Sequence, residues 1–521
     1  MPPLVIRTRR GLYSVLLAVL VAVSCQYFFT GGGQNQATRF DLVRAIVESH
    51  TLTIDAYQEN TRDKAQYGDH YYCDKAPGTS LAAVPFVAAV RWAASLAGVN
   101  PRDALAVEGR VATLVCATLP TAAATVAIYL LAMRLGGSAA AAAVAAVAYG
   151  LGTPAWAYGT LFWGNQLATA CVLAAFAIAR RMEAATSSAT PGETLRFGFA
   201  LGLAVGCAVV TEFSSVGAGA ILIGWVLIRA WRDPGGRAGV LRIAAAVALG
   251  GLGPALVLGA YDQLAFGSPF HIGYGSVVGW EAMHRGAFGV TFPKIDVLYW
   301  LLFGWQKGLF LISPILMFGA AGLYLRMRDE RYRGVATVMA AVFVFYLLFN
   351  ASYHYWTGGW TYGPRFMAAG LPFLCLGLPR VWDRRGPARD ALTFAAVLSI
   401  ALTFIAVATH PVTPEGRVWP LRDIFLPSFF HGLLSLNTGQ YFFSDAPIEA
   451  QNFGEYLGLG GLTSLLPLIA VWALLGTLWY AMARYESRLI LQPSAATASP
   501  VGPKRVPSRA KLGRRRRAKP R

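Results

Sequence analysis

The chain has 521 residues, of which 55% are hydrophobic and only 14% are charged, and its mean hydropathy is +0.48. A soluble globular protein carries about 25% charged residues, so this composition excludes that class. The formal net charge of +19 arises from 45 Lys and Arg residues against 26 Asp and Glu residues.

Apolar segments along the whole chain predict an all-α polytopic membrane protein, because many are long enough to cross a hydrocarbon core of about 30 Å. The first, "GLYSVLLAVLVAVSCQYFFT", follows "RTRR" and is longer than the apolar region of a cleaved signal peptide, so we predict an uncleaved span. About twelve crossings are predicted. They lie at 11–30, 109–133, 138–154, 166–182, 196–213, 214–230, 239–261, 306–325, 334–350, 366–380, 391–409 and 459–482.

The charge distribution predicts the topology. Residues 80–98 are apolar enough to cross, but if they stay outside, the Arg-rich loops and the C-terminal tail all lie on one side of the membrane. That side then holds 31 of the 45 basic residues and 8 of the 26 acidic ones, as expected for a cytoplasmic face. Both termini are therefore predicted to be cytoplasmic. Arg91 and Trp92 belong to a predicted interfacial helix.

This topology predicts a transmembrane domain over residues 1–490 and a basic, disordered cytoplasmic tail over residues 491–521. The tail, which includes "PKRVPSRAKLGRRRRAKPR", is expected to contact anionic lipid at the membrane surface. Nucleic-acid binding is the alternative for such a run, but the tail is tethered beside the membrane, so no nucleic-acid partner is expected. Large extracytoplasmic loops are predicted at 31–108, 262–305, 350–365 and 410–458.

The first large loop begins with glycines and then reads "TRFDLVRAIVESH", which predicts a short amphipathic helix. Asp41, Arg44 and Glu48 are spaced so that they share one face of this helix. Thr38 and Asp41 also fit a capping box. Asp41 is therefore either an acid that caps the helix start or a candidate catalytic residue.

The rest of this loop, "HTLTIDAYQENTRDKAQYGDHYYCDKAPG", interleaves acids with cations. Two patterns place an acid directly before a lysine: Asp63 before Lys64, and Asp74 before Lys75, the second followed by Pro77. Such pairs suit a loop that surrounds a charged substrate, although a solvated acidic loop is the simpler interpretation. Further candidates in the same stretch are Asp55, His70 and Tyr72.

A later loop, "NASYHYWTGGWTYGPRFM", combines aromatic side chains with His354 and Arg365. Trp360 and Tyr362 are candidate ring platforms, although aromatic residues also anchor proteins at membrane interfaces. A guanidinium at this position suits phosphate recognition. In "WQKGLFLISP", Lys307 stands at the entry to a predicted span, where snorkelling to the interface is the alternative to a functional role.

Taken in order, these segments resemble the bacterial GT-C-fold glycosyltransferases. These are polyprenyl-phosphate-sugar-dependent enzymes related to protein mannosyltransferases and aminoarabinose transferases. The resemblance rests on "TRFDLVRAIVE", "TLTIDAY", "GDHYYCDKAPG", "LFWGNQLATA", "VVTEFSS", "FGSPFHIGYG", "KGLFLISP", "GGWTYGPRF" and "LGLGGLTSLLPL", and covers the chain to about residue 490. It implies a GT-C-like membrane fold with interfacial helices in the large first loop.

The resemblance also implies an inverting transfer of a sugar from a polyprenyl-phosphate donor to an extracytoplasmic glycan, lipid or protein. By position, Asp41 best matches the catalytic acid of such enzymes, with Asp55, Asp63 and Asp74 as alternatives. Lys75, Lys307 and Arg365 are expected to hold the phosphate, and the loop 410–458 to contribute to acceptor choice. Some relatives bind a divalent metal ion and others do not, so metal dependence stays open.

Two other functions remain open at this stage. One is a transporter of a lipid-linked glycan or a solute. Transporters bury ionisable residues in mid-membrane, whereas most acids here are predicted to lie in loops on one face. The other is an inactive relative of the glycosyltransferases that acts as an assembly partner.

Overall fold

A computed structural model describes residues 3–185, 190–232, 236–416, 418–436 and 450–491. The contacts divide the chain into two units, Met1–Trp472 and Ala473–Arg521. The predicted tail at 491–521 lies beyond Leu491 outside the described residues, as do residues 437–449 of the predicted loop 410–458. The disordered tail and its lipid contact therefore stay predictions.

Helices dominate the described residues. Those of the first half are α1 (Pro3–Gln26), α2 (Gln34–Ser49), α3 (Gly78–Leu96), α4 (Pro101–Thr113), α5 (Leu119–Arg134), α6 (Ala139–Gly152), α7 (Ala155–Gly159), α8 (Gly164–Ala185), α9 (Pro191–Thr211) and α10 (Ser215–Arg232). Those of the second half are α11 (Gly236–Phe266), α12 (Ile295–Phe303), α13 (Leu309–Ile312), α14 (Ile315–Met327), α15 (Arg333–Ser352), α16 (Leu371–Cys375), α17 (Leu378–Trp382), α18 (Pro387–Thr409), α19 (Leu426–Phe430), α20 (Phe453–Tyr456) and α21 (Leu466–Leu491).

Short helical turns join several of these elements. The 3-10 turns are Asp55–Asn60, Gly273–Ser276, Glu281–His284, Arg365–Gly370 and Gly461–Leu465. The π-helical turns are Leu114–Thr118 and Leu421–Phe425. The first of these joins α4 to α5, so that residues 101–134 form one continuous helix.

The prediction of an all-α polytopic membrane protein is confirmed. Among the described residues, eight helices are long and apolar enough to cross a membrane, and three shorter apolar helices accompany them. The eight include α3, which the charge distribution predicts to stay at the interface. The total of about twelve crossings, like the interfacial position of α3, stays a prediction.

Two predicted spans are interrupted. The segment 306–325 divides into the short helix α13 and the helix α14, which begins at Ile315 directly after Pro314. The segment 366–380 divides into a 3-10 turn and the five-residue helices α16 and α17. Hydropathy identified the apolar runs, but it does not register where a proline breaks backbone hydrogen bonding.

The helix α3 runs antiparallel to α4. At one end, Sγ of Cys116 lies 3.5 Å from the carbonyl oxygen of Thr79. At the other, the Arg91 guanidinium donates to both carboxylate oxygens of Glu108, at 2.8 and 3.0 Å. The contacts of α3 with Glu108 and Cys116 place it beside the first half of the continuous helix 101–134, the half farther from Arg134.

The helix α2 begins five residues earlier than the capping pattern predicts. It starts at Gln34, and its N-cap Gly33 makes no side-chain cap bond. Thr38 and Asp41 therefore lie inside the helix, and the predicted capping box is wrong. The prediction that Arg44 and Glu48 share one face of α2 is correct, since Nε of Arg44 lies 2.9 Å from Oε1 of Glu48.

The strands are few and short. β2 (Lys64–Tyr67) pairs antiparallel with β3 (His70–Tyr72) and with β4 (Val277–Val278), in the order β3-β2-β4. β1 (Phe28–Phe29) pairs antiparallel with β5 (Gln451–Asn452). The three-stranded sheet links the first large loop to the segment after α11, and it forms one wall of the site described below.

A buried aromatic core supports the loop that precedes the 3-10 turn Arg365–Gly370. Trp156 is fully buried, stacks on Phe404 and donates from Nε1 to the carbonyl of Ser24 at 3.0 Å. Tyr158 donates from its hydroxyl to the carbonyl of Tyr362 at 2.8 Å. Tyr362 is thereby part of the core rather than a free ring platform.

Candidate functional site

Several of the predicted site residues surround one cavity, with a volume of about 480 Å³, which we call the chamber. Loop segments that are far apart in the sequence supply its wall. Its polar lining residues are Gln34, Asn35, Gln36, Arg62, Asp63, Asp74, Lys75, Arg365 and Glu415. Its aromatic lining residues are Trp163, Trp280, Tyr353, Tyr355 and Trp360.

A buried cluster of two carboxylates and one ammonium lies at the chamber wall. Nζ of Lys75 lies 3.0 Å from Oδ2 of Asp63 and 2.7 Å from Oδ2 of Asp74. The Asp63 side chain is 11% exposed, against 2% for Asp74. Oδ1 of Asp74 is buried and makes no hydrogen bond to any described residue. Asp63 is therefore the more accessible carboxylate of the cluster.

Burial and mutual attraction set the protonation states in this cluster. Burial alone disfavours the Lys75 ammonium, but the carboxylates of Asp63 and Asp74 outweigh it and raise the pKa of Lys75 above its usual value. Burial raises the pKa of Asp74, and the neighbouring Asp63 adds to this, although Lys75 acts in the opposite direction. Lys75 thus stays a permanent cation at neutral pH.

The turn that carries Lys75 is fixed by close backbone contacts. A Cβ atom on Gly78 would lie 2.7 Å from the carbonyl oxygen of Val210, so only glycine fits at the start of α3. The guanidinium of Arg39, which is 1% exposed, donates to the carbonyl of Ala76 at 3.1 Å and to Glu212 at 2.6 Å. This buried arginine ties α2 and the end of α9 to the Lys75 turn.

A second cation, Arg365, lines the same chamber. Its guanidinium lies over the rings of Trp163 and Phe366, 5.4 and 4.9 Å from their centroids, and its Nε is buried without a hydrogen bond to a described residue. Burial raises the pKa of Tyr353 to about 12, although the positive charges of Lys75 and Arg365 act to lower it. Two cations therefore line the same small cavity, which suits an anionic ligand.

Lys307 supports the chamber from outside rather than lining it. It is 1% exposed, and its Nζ donates to the carbonyls of Gly359 and Thr361 and to the Thr361 hydroxyl, each at 2.8 Å. The segment it holds includes Trp360 of the chamber wall. The prediction of Lys307 as a direct phosphate ligand does not match this position.

The described part of the predicted loop 410–458 reaches the chamber through Val412 and Glu415. Glu415 accepts a hydrogen bond from the Thr357 hydroxyl. Nε2 of Gln306 donates to the carbonyl of Gly416 at 2.8 Å. This segment therefore contacts the aromatic loop that carries Trp360.

Of the predicted catalytic acids, Asp63 and Asp74 line the chamber, and Asp41 and Asp55 do not. Asp41 is fully buried in α2, and its Oδ1 accepts from Nδ2 of Asn60 at 2.9 Å. Asp55 accepts from the backbone amide of Tyr71 at 2.6 Å, and its Oδ2 lies 2.7 Å from Nδ1 of His70. Asp55 and His70 form a partly exposed pair outside the chamber.

Of the predicted binding residues, Lys75, Trp360 and Arg365 line the chamber. Those outside it are Lys64, His70, Tyr72, Lys307, His354 and Tyr362. Tyr72 packs on Phe266, with ring centroids 5.2 Å apart, and the His354 ring lies beside Tyr355. Lys64 borders a neighbouring groove, considered separately below.

Sequence reasoning did not identify Trp163, Trp280, Glu415, Arg39 or the polar start of α2 as site residues. Trp163 had a signal, since it stands in the motif "LFWGNQLATA". Glu415 and Trp280 had none, because each lies in a loop whose sequence carries no recognisable pattern.

Among the described residues, no group of three or more His, Cys, Asp and Glu side chains is arranged to hold a metal ion. The carboxylates of Asp63 and Asp74 instead share the Lys75 ammonium. We therefore derive no step through a metal, and the chemistry available here is anion binding by two cations beside a carboxylate that can accept a proton.

Comparisons with known proteins identify the fold. No family model and no curated protein matches the chain. Its structure is similar to that of ArnT, an aminoarabinose transferase from Cupriavidus metallidurans, bound to undecaprenyl phosphate. The TM-score is 0.51 and the identity 16%, over 81% of this chain and 68% of ArnT.

Two further solved structures are similar. ArnT from the same organism in the apo state has a TM-score of 0.49 and 16% identity, over 81% of this chain and 67% of ArnT. The archaeal oligosaccharyltransferase AglB from Archaeoglobus fulgidus, in complex with an inhibitory peptide and a dolichol-phosphate, has a TM-score of 0.43 and 10% identity. The match covers 78% of this chain and 56% of AglB. The predicted GT-C fold is confirmed by the ArnT match.

Proposed function

We propose that this protein is an inverting glycosyltransferase. It transfers a sugar from a polyprenyl-phosphate donor to a hydroxyl group of an acceptor glycan, lipid or protein at the cell envelope. The observation that carries the proposal is the chamber itself, where the accessible carboxylate of Asp63 lies within 3.0 Å of the cation of Lys75 and a second cation, Arg365, lines the wall. The GT-C fold shared with ArnT supports it.

In this proposal, Lys75 and Arg365 bind the donor phosphate. The ArnT structure that matches this fold was solved with undecaprenyl phosphate bound, which is a lipid phosphate of the proposed kind. A guanidinium presents a planar fork to phosphate oxygens, and the buried ammonium adds a second charge. Both cations are fixed before the donor arrives, so they stabilise the negative charge that develops on the leaving phosphate without reorganising.

Asp63 is the proposed general base. It removes the proton from the acceptor hydroxyl as that oxygen attacks the anomeric carbon. The bond between this carbon and the phosphate oxygen breaks, and the polyprenyl phosphate leaves with the electron pair. Because attack and departure occur on opposite faces, the configuration inverts. Asp74, which is almost fully buried, keeps Lys75 charged and in position.

The proposed setting is the outer face of a bacterial cytoplasmic membrane, with both termini in the cytoplasm and the chamber outside. The distribution of Arg and Lys between the predicted loops supports this orientation. All of the chamber-lining residues fall in loops or at helix ends that the charge distribution assigns to that outer face.

The experiment that tests the proposal is transfer of radiolabelled sugar from a panel of undecaprenyl- and decaprenyl-phosphate sugars by the purified full-length protein in lipid vesicles. We compare wild type with Asp63→Asn, Arg365→Lys and the exposed control Arg285→Lys. We expect turnover of one donor, its loss in Asp63→Asn, and a donor KM about 10- to 100-fold higher in Arg365→Lys, since hydrogen bonds to charged groups contribute about 1.5–3 kcal/mol.

The alternatives give different results in this assay. A transporter would move labelled donor or solute across the vesicle membrane without forming a glycosidic bond. An inactive assembly partner would turn over no donor, and its Asp63→Asn variant would behave like wild type. Either result contradicts the proposed function.

A further inference from the structure

A second cavity, with a volume of about 510 Å³, lies beside the chamber, and we call it the groove. Its main lining residues are Glu59, Thr61, Arg62, Lys64, Val278 and Trp280. None of these has a role in the chemistry described above. The groove is polar and includes two exposed charged side chains, those of Glu59 and Arg62.

A thin wall of extended backbone separates the groove from the chamber. This wall is formed by β2, which begins at Lys64, directly after Asp63. In extended backbone, successive side chains point to opposite faces. Asp63 accordingly lines the chamber, whereas Lys64 lines the groove.

The partner strand repeats this alternation. In the antiparallel pair, Lys64 lies opposite Val278 and Ala65 lies opposite Val277. Val278 lines the groove with Lys64, and Val277 lines the chamber on the face of Asp63. The β2–β4 ribbon is therefore a partition with one face in each space, and the proposed base lies directly behind the groove.

The two spaces communicate at their shared border. Gln34, Arg62 and Trp280 line both of them. The Trp280 ring packs edge-to-face against Tyr355, with centroids 5.3 Å apart at 82°. Its Nε1 is buried without a hydrogen bond to any described residue. An indole in this position offers a flat apolar face to a ligand that spans the border.

We infer that the groove binds the acceptor and that the acceptor is a carbohydrate, an inference that rests on the proposed function. The acceptor lies in the groove, and its reacting end crosses the shared border at Gln34, Arg62 and Trp280 to reach Asp63 in the chamber, where the donor phosphate is bound. Carbohydrates are recognised by rings together with polar groups on several sides, and the groove supplies Trp280, Glu59 and Arg62. Lys64 adds a donor, since Nζ uses two of its three protons on Gln58, at 2.9 and 3.3 Å.

A peptide acceptor fits this surface less well. Peptides in extended form bind by adding a strand to an exposed sheet edge. The edge available here, β4, has two residues. It is followed by Gly279 at φ +77°, which turns the backbone out of the extended conformation. The groove therefore presents side chains rather than a continuous row of backbone groups.

The test uses variants of residues that line the groove but not the chamber: Glu59→Gln, Lys64→Gln and Val278→Trp, the last of which fills the groove. The control is Asp69→Asn, an exposed acid in the turn between β2 and β3. Each full-length protein is assayed in vesicles with the polyprenyl-phosphate sugar that it turns over. The acceptors are oligosaccharides of hexoses or pentoses and, separately, Ser- and Thr-containing peptides.

We expect the acceptor KM for an oligosaccharide to rise at least tenfold in the groove variants. The donor KM and the slow hydrolysis of donor without acceptor are expected to stay at the wild-type level. Unchanged acceptor KM values in all three variants would overturn the inference, as would a rise in donor KM. Saturable transfer to peptides, with none to oligosaccharides, would overturn the carbohydrate assignment.

A binding measurement separates this inference from the proposed function. Quenching of tryptophan fluorescence by the same oligosaccharides is recorded without donor, for wild type and Lys64→Gln, which adds no tryptophan. Saturable quenching by wild type that is weakened in Lys64→Gln supports the groove even if no donor is turned over. Absence of quenching together with absence of transfer contradicts both proposals.

Discussion

Nζ of Lys75 lies 3.0 Å from Oδ2 of Asp63, and both side chains line one chamber although eleven residues lie between them in the chain. The pair joins the two acid–lysine patterns of the first large loop, "TRDK" and "YCDKAPG". The lysine of the second pattern pairs with the acid of the first, whereas the other lysine, Lys64, points into the groove. A carboxylate that can accept a proton and a cation that can bind phosphate are thereby adjacent.

The role of Asp63 predicts a large loss of rate on removal of its charge. Asp63→Asn is expected to lower kcat about 100- to 10,000-fold, the range that a general base contributes. Asp41→Asn is expected to stay within about tenfold of wild type, since that residue lies in α2 outside the chamber. Single-turnover transfer by both variants, at equal amounts of folded protein, measures the difference. Loss of activity in Asp41→Asn but not in Asp63→Asn would instead identify Asp41, in α2, as the base.

Removing the Lys75 ammonium is expected to affect both stability and activity. Lys75→Met leaves the carboxylates of Asp63 and Asp74 buried without a counter-charge, which costs about 3–5 kcal/mol of unfolding free energy. Adding Asp74→Asn to this variant removes one of the two charges and is expected to restore part of the stability.

Activity measurements on these two variants distinguish a structural role of Lys75 from a functional one. The double variant is expected to stay inactive, because no cation remains at this position to bind the donor phosphate. Thermal unfolding in detergent and donor transfer are measured on the same samples. Recovery of activity together with stability would assign Lys75 a purely structural role.

Lys307 is expected to act by positioning the aromatic loop. In Lys307→Met, three acceptors on Gly359 and Thr361 lose their donor, and the two on Thr361 are buried polar groups whose loss of a partner costs about 1–3 kcal/mol each. We expect a lower Tm and a lower kcat, because Trp360 loses its support. Lys294→Met, at an exposed lysine, is the matched control. An unchanged Tm in Lys307→Met would show that this loop is held by other contacts.

The surroundings of Glu48 predict that the protein loses stability at acidic pH. Burial alone would raise the pKa of Glu48, but the guanidinium groups of Arg44 and Arg91 and the hydroxyl of Tyr57 hold the pKa below its usual value of 4.5. The unfolded chain therefore binds a proton at a higher pH than the folded protein does. The stability that Glu48 provides is complete above pH 4.5 and is lost as the pH falls through the lower, folded-state pKa.

The measurement for Glu48 is Tm as a function of pH, from about pH 7 to pH 3, for wild type and Glu48→Gln. Wild type is expected to lose more Tm over the acidic part of this range than Glu48→Gln, which lacks the titrating group. Glu330→Gln, at a side chain that is 91% exposed, serves as the control. Parallel curves for wild type and Glu48→Gln would contradict the proposed contribution.

Much of the fold could be predicted because apolar periodicity and charge distribution are local properties of the sequence. The apolar runs became helices, and "CDKAPG" became the turn before α3 as its Pro and Gly indicate. The breaks in the predicted spans 306–325 and 366–380 were missed, since hydropathy averages over single prolines.

The site was only partly predictable, because its geometry depends on contacts between distant segments. The local patterns identified Asp63, Asp74, Lys75 and Arg365, but they could not separate these residues from Asp41 or Asp55. That separation depends on strand alternation and on which face of α2 is buried. Arg39 was missed because its role is to bond Ala76 and Glu212, and neither contact is apparent from the sequence.

The alternation from Asp63 to Lys64 makes reactivity and selectivity independently variable. Substitutions at Lys64 alter the groove, whereas the neighbouring Asp63 keeps its place in the chamber. Insertion of a single residue between Asp63 and Lys64 couples the two, because with the β2 register fixed it turns the Asp63 side chain from the chamber towards the groove. The number of residues between Asp63 and β2 therefore matters more for the site than the identity of the residues around them.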